Sequence, residues 1–474
     1  MSAAPPRSLS VHETAIPGLL TLDLPVHGDQ RGWFKENWQR ARMRALGLPD
    51  FGPVQQNISY NAEAGVTRGV HAEPWDKYVS VATGRVFGAW VDLREGDTFG
   101  TVVTAEIGPD RAVYVPRGVG NAFQCLEPGT AYTYLVNEHW SREATARYTF
   151  VQLADPALGI DWPIPLDQAV LSQADRGHPP LSAVTPFAAP RVLVLGAGGQ
   201  LGQALLQAIP GSVGRTRAQL DLADPHAPAR LDLTGVSAIV NAAAYTAVDA
   251  AETSEGRETA WATNVTGLGR LVELARAHRL PLVHVSSDYV FDGTAHTHDE
   301  DEPLTPLGVY GQTKAAGDAL VTGYERGYVV RTSWVVGAGR NFVATMASLA
   351  QRGIQPAVVD DQHGRLTFTT DLADGIAHLL TGGAPPGVYN ITNTGPVQTW
   401  ADIAADVYEL LGHPREAITR VSTTEYGAGK NMAPRPRHST LNLAKITATG
   451  YTPPPAHTRL REYVEHLTRT EETS

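Results

Sequence analysis

A glycine run set between an apolar strand and a helix constrains this chain more than any other feature. Gly196-Ala197-Gly198-Gly199-Gln200-Leu201-Gly202 follows the stretch Arg191–Leu195 and opens a helical pattern that begins near Gln200. Glycines at 196, 199 and 202 let the backbone turn sharply and approach a pyrophosphate, which then rests on the helix N-terminus. From Arg191 onward, apolar strands alternate with longer Ala- and Leu-rich helical patterns, as in RVLVLGAGGQLGQALLQAI and AIVNAAAYTAVDAAE. That order reads as βαβ units forming a parallel, doubly wound sheet. About 20 residues beyond the glycines, where an acid would bind a ribose hydroxyl, stands Arg215-Thr216-Arg217. Guanidiniums there suit a 2′-phosphate and favour NADPH, with NADH still open; the alternative is a pair of solvated surface arginines.

Before about Ala189 the rhythm differs. VSVATGRVFGAWVDLREGDTFGTVVTAEIG shows β-rich runs, Gly-containing turns and no long helical period, which suggests an all-β sandwich or jelly-roll barrel. The Pro-, Ala- and Ser-rich HPPLSAVTPFAAP is the linker candidate. The expected organisation is a β domain over residues 1–186, a linker around 178–190, and a nucleotide-binding domain over 190–474. A length of 474 residues fits two or three such domains. The net charge of −11 is dispersed, and no Lys/Arg cluster tracks a nucleic-acid backbone, so nucleic acid is not an expected partner. Cys125 is the only cysteine, which excludes a disulfide within one chain and a Cys-based zinc site; no metal is expected. The N-terminus lacks a signal-peptide core and no window approaches a membrane span, so a soluble cytoplasmic protein is expected.

The chemistry is written in Ser286-Ser287-Asp288-Tyr289-Val290-Phe291-Asp292-Gly293 and in Tyr310-Gly311-Gln312-Thr313-Lys314. A Ser at a strand end, a Tyr, and a Lys one helical turn later can deliver a proton to a ketone oxygen while a nicotinamide reduces the carbon. The Lys cation beside Tyr310 is expected to lower the phenol's pKa, and Ser287 to hydrogen-bond the same carbonyl. Taken alone, Tyr310 and Lys314 would be a surface pair at i, i+4. The nucleotide loop and Ser287 make them a site.

The second half resembles the dTDP-4-dehydrorhamnose reductases of the extended short-chain dehydrogenase/reductase family, in NAAAYTAVDAAE, SSDYVFDG, YGQTK, RTSWVVG, VVDDQHG and APRPRHSTL. The resemblance implies a Rossmann-type domain with a smaller substrate-binding part and Ser287, Tyr310 and Lys314 as catalytic triad. It implies cofactor contacts from Gly196, Gly199, Gln200, Leu201, Gly202, Arg215, Arg217, Ala242, Ala243, Tyr310 and Lys314, and Asp288, Tyr289 and Trp334 facing the sugar nucleotide. Trp334 reads equally as a core aromatic. Ser287 stands where the family commonly has Thr, and HGRLTF lacks the usual Pro.

The first half resembles the dTDP-4-dehydrorhamnose 3,5-epimerases, double-stranded β-helix (cupin-like) dimers, through DQRGWFKE, VQQNIS, TRGVH, VDLREGD, VYVPRGVGNAF, TAYTYLVNEHW and GIDWP followed by LSQAD. Carried across, His71 is the base, Asp175 its dyad partner, Lys77 the cation near the sugar carbonyl and Tyr134 the opposing acid. Arg31, Gln55, Asn57 and Arg68 would line the nucleotide-sugar pocket, and a homodimer through this domain is implied. Proton removal beside a ketone needs such a base, an enolate stabiliser and an acid on the other face. Two departures stand out: HAEPWDK is about four residues shorter than the family spacing, and Asn121 replaces a common His.

Together the halves imply a bifunctional enzyme that epimerises dTDP-4-dehydro-6-deoxy-D-glucose at C3 and C5 and reduces C4 with NADPH to give dTDP-L-rhamnose. Two alternatives stay open. The β domain could act at one carbon only or not at all, or the chain could be a non-catalytic dinucleotide-binding regulator.

Overall fold

The computed structural model describes residues 8–49, 51–141, 143–188, 191–382 and 384–472. The chain divides into two compact units, Met1–Ala189 and Pro190–Ser474.

The first unit is built from two antiparallel sheets. One, of six strands, runs Ser10–Glu13, Leu20–Asp23, Arg111–Val115, Lys77–Thr83, Thr130–Val136, Gln55–Asn61; the other, of five, runs Thr149–Phe150, Thr67–Ala72, Val119–Cys125, Val86–Asp92, Val102–Ile107. Strands from Gln55 to Asp92 alternate between the sheets, so consecutive segments face one another across a common core. Val79, Val81, Val86, Trp90, Phe123, Cys125 and Tyr132 fill it. Central strands such as VFGAWVD are buried on nearly every residue, which explains their almost continuous apolar character.

The expected linker is largely part of this unit. Leu181–Ala183 forms a 3-10 turn, Gln152 N–H donates to the Pro179 carbonyl at 2.8 Å, and Phe187 exchanges backbone hydrogen bonds with Leu93 (2.6 Å) and Glu95 (2.9 Å).

The second unit centres on a six-stranded parallel sheet ordered Val213–Arg215, Arg191–Leu195, Val236–Asn241, Leu282–Ser287, Gly327–Thr332, Gly387–Asn390. The order reverses between the first and third strands in sequence, and a ligand crevice opens beyond the strand ends at such a point. Leu201, Leu205, Val240, Val283, Leu372 and Ile376 pack one face, and Leu193, Ile239, Leu271 and Val329 the other. A further cluster with Val343, Met346, Ile403 and Val407, flanked by short two-stranded sheets, forms the smaller part expected beside the nucleotide fold. No helix among the described residues is long and apolar enough to cross a membrane.

One ion pair is buried almost completely in this unit: Arg331 Nε donates to Asp318 Oδ2 at 2.9 Å. Burial raises the Asp318 pKa, against the pull of Arg331. Arg331→Leu should therefore destabilise the second unit by about 3–5 kcal/mol, because the carboxylate is left without its counter-charge. Chemical denaturation checks this, and a loss under about 1 kcal/mol would show that Asp318 takes up a proton at little cost.

Candidate active sites

The glycine loop meets the sheet where the strand order reverses. Gly196 and Ala197 N–H groups both donate to the Arg215 carbonyl, at 3.0 and 3.1 Å. A Cβ on Gly202 would lie 2.1 Å from the Gly196 carbonyl oxygen, and one on Gly196 2.7 Å from the Ala243 nitrogen. Side chains at these two positions would close the approach to the loop and to Ala242 and Ala243. The helix Gln200–Ala208 has no side-chain cap at Gly199, which leaves its first N–H groups available to a phosphate. Leu201 is buried in the core, so only its backbone can serve a ligand. Gln200 holds the Arg340 carbonyl at 3.0 Å through Nε2. The residues present fit a dinucleotide.

The two arginines differ. Arg215, half-buried, ends the strand beside the loop and donates to the Gly214 carbonyl, whereas Arg217 is exposed and pairs with Asp221 at 3.3 Å.

Ser287 ends the strand Leu282–Ser287 and Tyr310 lies in the first turn of the helix Val309–Thr322. Gly311 brings them together: a Cβ there would stand 2.2 Å from the Tyr289 carbonyl oxygen. The expected effect of Lys314 on Tyr310 is corrected by the structure. Lys314 Nζ donates to the Val285 carbonyl at 2.7 Å and meets His284 Nε2 at 3.2 Å. Burial, then the Asp288 carboxylate, push the Tyr310 phenol well above its ordinary value, outweighing a hydrogen bond with Ser287. The phenol is thus held protonated, as an acid in waiting. Burial also drops Lys314 to about 8.

Asp288, expected to face the sugar nucleotide, is 2% exposed, and its Oδ1 accepts from Ser287 Oγ at 2.9 Å. Burial lifts its pKa to about 6. Tyr289 packs edge-on against Tyr310 with centroids 5.6 Å apart, and burial raises its pKa to about 12. Arg435, from APRPRHSTL, pairs with Asp249 of AVDAAE at 2.8 Å. Trp334 has φ +47°, a left-handed conformation rare for a bulky residue, and stacks on Trp400 at 3.9 Å. Two residues of this second unit escaped the sequence reading. His284, neutral because burial and Lys314 oppose its charge, spans Lys314 and Asn241. Asn264, on a π-helical segment Ala262–Gly267, bonds Tyr245 N, Tyr245 O and Thr313 Oγ1.

In the first unit, His71 on the strand Thr67–Ala72 places Nε2 2.8 Å from Asp175 Oδ1. Ser172 caps the short helix Gln173–Arg176 and donates to Asp175 Oδ2 at 2.8 Å. Burial pushes Asp175 up, but hydrogen bonds from His71 and Ser172 prevail and hold it below the usual carboxylate value. Lys77 lies 5.5 Å from the centre of the Tyr134 ring. Tyr134 pairs across strands with Asn57. Gln55 donates to Asn57 Oδ1 at 2.8 Å, and Arg68 to Asn61 Oδ1 at 3.3 Å.

Residues 13–183 match the family described as dTDP-4-dehydrorhamnose 3,5-epimerase, and residues 190–469 match the RmlD substrate binding domain. The protein RmlC homolog of Streptococcus pyogenes serotype M6 is 52% identical over 177 residues, which are 36% of this chain and 89% of the relative. A dTDP-4-dehydrorhamnose reductase of Streptomyces griseus is 39% identical over 291 residues, 57% of this chain and 91% of the relative. The structure of dTDP-4-dehydrorhamnose reductase from Bacillus anthracis in complex with NADP is 29% identical, with a TM-score of 0.54, covering 58% of this chain and 98% of that one. The chain belongs to both families.

Within the epimerase-family unit, the departures noted in the sequence have physical accounts. Asn121 Oδ1 accepts from Trp90 Nε1 (2.9 Å) and Tyr132 OH (3.0 Å), satisfying two buried donors. The short loop is fixed by Asp76, which accepts from Arg117 N (2.9 Å) and Asn137 Nδ2 (3.0 Å), and by buried Trp75. Arg31 lies between the hairpin strands Val26–Asp29 and Gly32–Lys35, 85% exposed and paired with Asp29. His178 stands 5.3 Å from His71, ring to ring; His71, Asp175 and His178 are the one group of metal-capable side chains found among the described residues, their ligand atoms within 4.8 Å of one another.

Two outcomes are expected in the reductase-family unit. Arg215→Ala should weaken NADPH binding about 10- to 100-fold and leave NADH nearly untouched, with a smaller effect for Arg217→Ala; equal losses for both cofactors would show that Arg215 does not read the 2′-phosphate. Reduction should slow as pH rises through about 8, because Lys314 is cationic below that value and neutral above it. Lys314→Arg should remove this limb from the pH–rate profile, whatever its residual rate, since a guanidinium does not titrate there.

Proposed function

We propose that the chain performs consecutive steps of dTDP-L-rhamnose formation. The epimerase-family unit inverts C3 and C5 of dTDP-4-dehydro-6-deoxy-D-glucose, and the reductase-family unit reduces the C4 ketone with NADPH. The observations that support this reading are the His71–Asp175 pair and Lys77 beside Tyr134 in one unit, and Ser287 hydrogen-bonded to Tyr310 one helical turn before Lys314 in the other.

In the first step Asp175 occupies His71 Nε2 and leaves Nδ1 to take the proton. The Asp175 carboxylate stabilises the imidazolium that forms. Lys77 offers its ammonium to the oxygen that gains charge, and Tyr134 returns a proton on the opposite face. Arg68, Gln55 and Asn57 are assigned to the nucleotide sugar.

The loop Gly196–Gly202, Ala242, Ala243 and Arg215 would hold NADPH, which would supply the hydride for C4. Tyr310, kept protonated by burial and by Asp288, gives its proton to the C4 oxygen. Ser287 hydrogen-bonds that oxygen, and Lys314 adds positive charge beside it. Tyr289 and Trp334 are assigned to the sugar nucleotide.

The finer architecture follows the same assignment: a double-stranded β-helix in the first unit and a Rossmann-type fold in the second. We assign a homodimer to the first unit because the edge strand Gln55–Asn61 presents Ile58 and Tyr60, each 68% exposed. A cytoplasmic location fits the dependence on NADPH and the single free Cys125.

NMR of the product formed from substrate, NADPH and the protein tests the whole reading. His71→Ala should stop solvent deuterium entering at C3 and C5, while already epimerised ketone is still reduced. Wild-type protein that exchanges no deuterium at either carbon would remove epimerisation from the proposal.

A further inference from the structure

The short loop HAEPWDK carries a buried carboxylate with no role so far. Glu73 Oε1 lies 2.7 Å from Lys77 Nζ, with the two side chains only 10% and 6% exposed. The same ammonium sits 5.5 Å from the centre of the Tyr134 ring. Carboxylate, ammonium and phenol therefore share one corner, on the face assigned above to the return of the proton.

We propose that Glu73 is a positioning residue for epimerisation: its carboxylate clamps the Lys77 ammonium against Tyr134, so that enolate stabiliser and proton donor meet the sugar as one unit. The inference rests on the epimerisation reading above and deepens it.

Three physical points support the clamp. An ammonium has three N–H donors, so one spent on Glu73 leaves two for the sugar oxygen. A lysine stem is flexible, and a buried carboxylate at hydrogen-bond distance removes that freedom before substrate arrives. The carboxylate also faces the acid itself: burial first, and Glu73 second, raise the Tyr134 phenol, against Arg68. The other titratable groups facing this corner are Tyr132, 6.2 Å from Tyr134 ring to ring, and Tyr148, whose pKa is raised by burial, then by Glu73 and Tyr134, and lowered by Arg147. With Glu73 in place, Tyr134 stays a phenol well into the alkaline range. A carboxylate serving only to close the loop would leave the proton-return step indifferent to its charge.

The test reads solvent deuterium entering C3 and C5 against pH in the full-length protein, for wild type, Glu73→Gln and Glu73→Asp. Loss of the carboxylate should bring the alkaline limb down by about one pH unit or more, because the ammonium loses its counter-charge and the phenol its negative neighbour. Incorporation at the carbon served by Tyr134 should drop at least about tenfold relative to the proton removal that His71 performs. Glu73→Asp, which keeps the charge, should restore the limb in part. A Glu73→Gln profile that matches wild type overturns the proposal while leaving epimerisation intact; absence of exchange in wild type overturns the epimerisation reading instead. Should Glu73→Gln not fold, Glu73→Asp decides: an unshifted limb, or an unfolded first unit, makes Glu73 structural and overturns the proposal.

Discussion

The ammonium of Lys314, buried and held 2.7 Å from the Val285 carbonyl, ties the helix Val309–Thr322 to the central strand Leu282–Ser287. A buried cation without a carboxylate partner needs dipoles instead. One comes from the strand backbone, the other from His284, which must be neutral to accept from an ammonium and is kept so by burial and by Lys314 itself. His284 in turn touches Asn241, whose Oδ1 accepts from Ala243 N at 3.2 Å. Two strand ends, the segment that follows Asn241 and the helix Val309–Thr322 are thereby tied through one chain of polar contacts.

The two units solve the same electrostatic problem in opposite ways. Lys77 has a carboxylate at 2.7 Å, whereas Lys314 has none at hydrogen-bond distance among the described residues. Neutral groups alone hydrogen-bond the Lys314 ammonium, and burial brings its pKa down to about 8. The tyrosines behave alike in both units: burial raises the pKa of Tyr134 and of Tyr310.

Much of this was legible in the sequence because it depends on local pattern. The glycine loop, the strand that precedes it and the spacing of Tyr310 from Lys314 follow from backbone periodicity, and the β-rich first half from its alternating runs. The Tyr310 pKa was not legible. Its sign turns on which group Lys314 touches and on the burial of Asp288, and neither follows from an i, i+4 spacing. Glu73, His284 and Asn264 were invisible for a related reason: each acts through a partner brought close only by the fold. His284 did leave a trace, a polar residue at an otherwise buried position of LVHVSS.

The backbone pairing of Phe187 with Leu93 and Glu95 has a practical meaning for anyone who wants the two activities on separate polypeptides. A first half ended near residue 178 would lose the Pro179 acceptor of Gln152 and this pairing, and would take the Phe187 ring away from Gly118, against which it packs too closely for a Cβ. Gly118 precedes the strand Val119–Cys125, which runs beside the strand bearing His71, so the damage would reach toward His71. The scission point that respects the hydrogen bonds of the first unit falls after Phe187, in the few residues before Arg191.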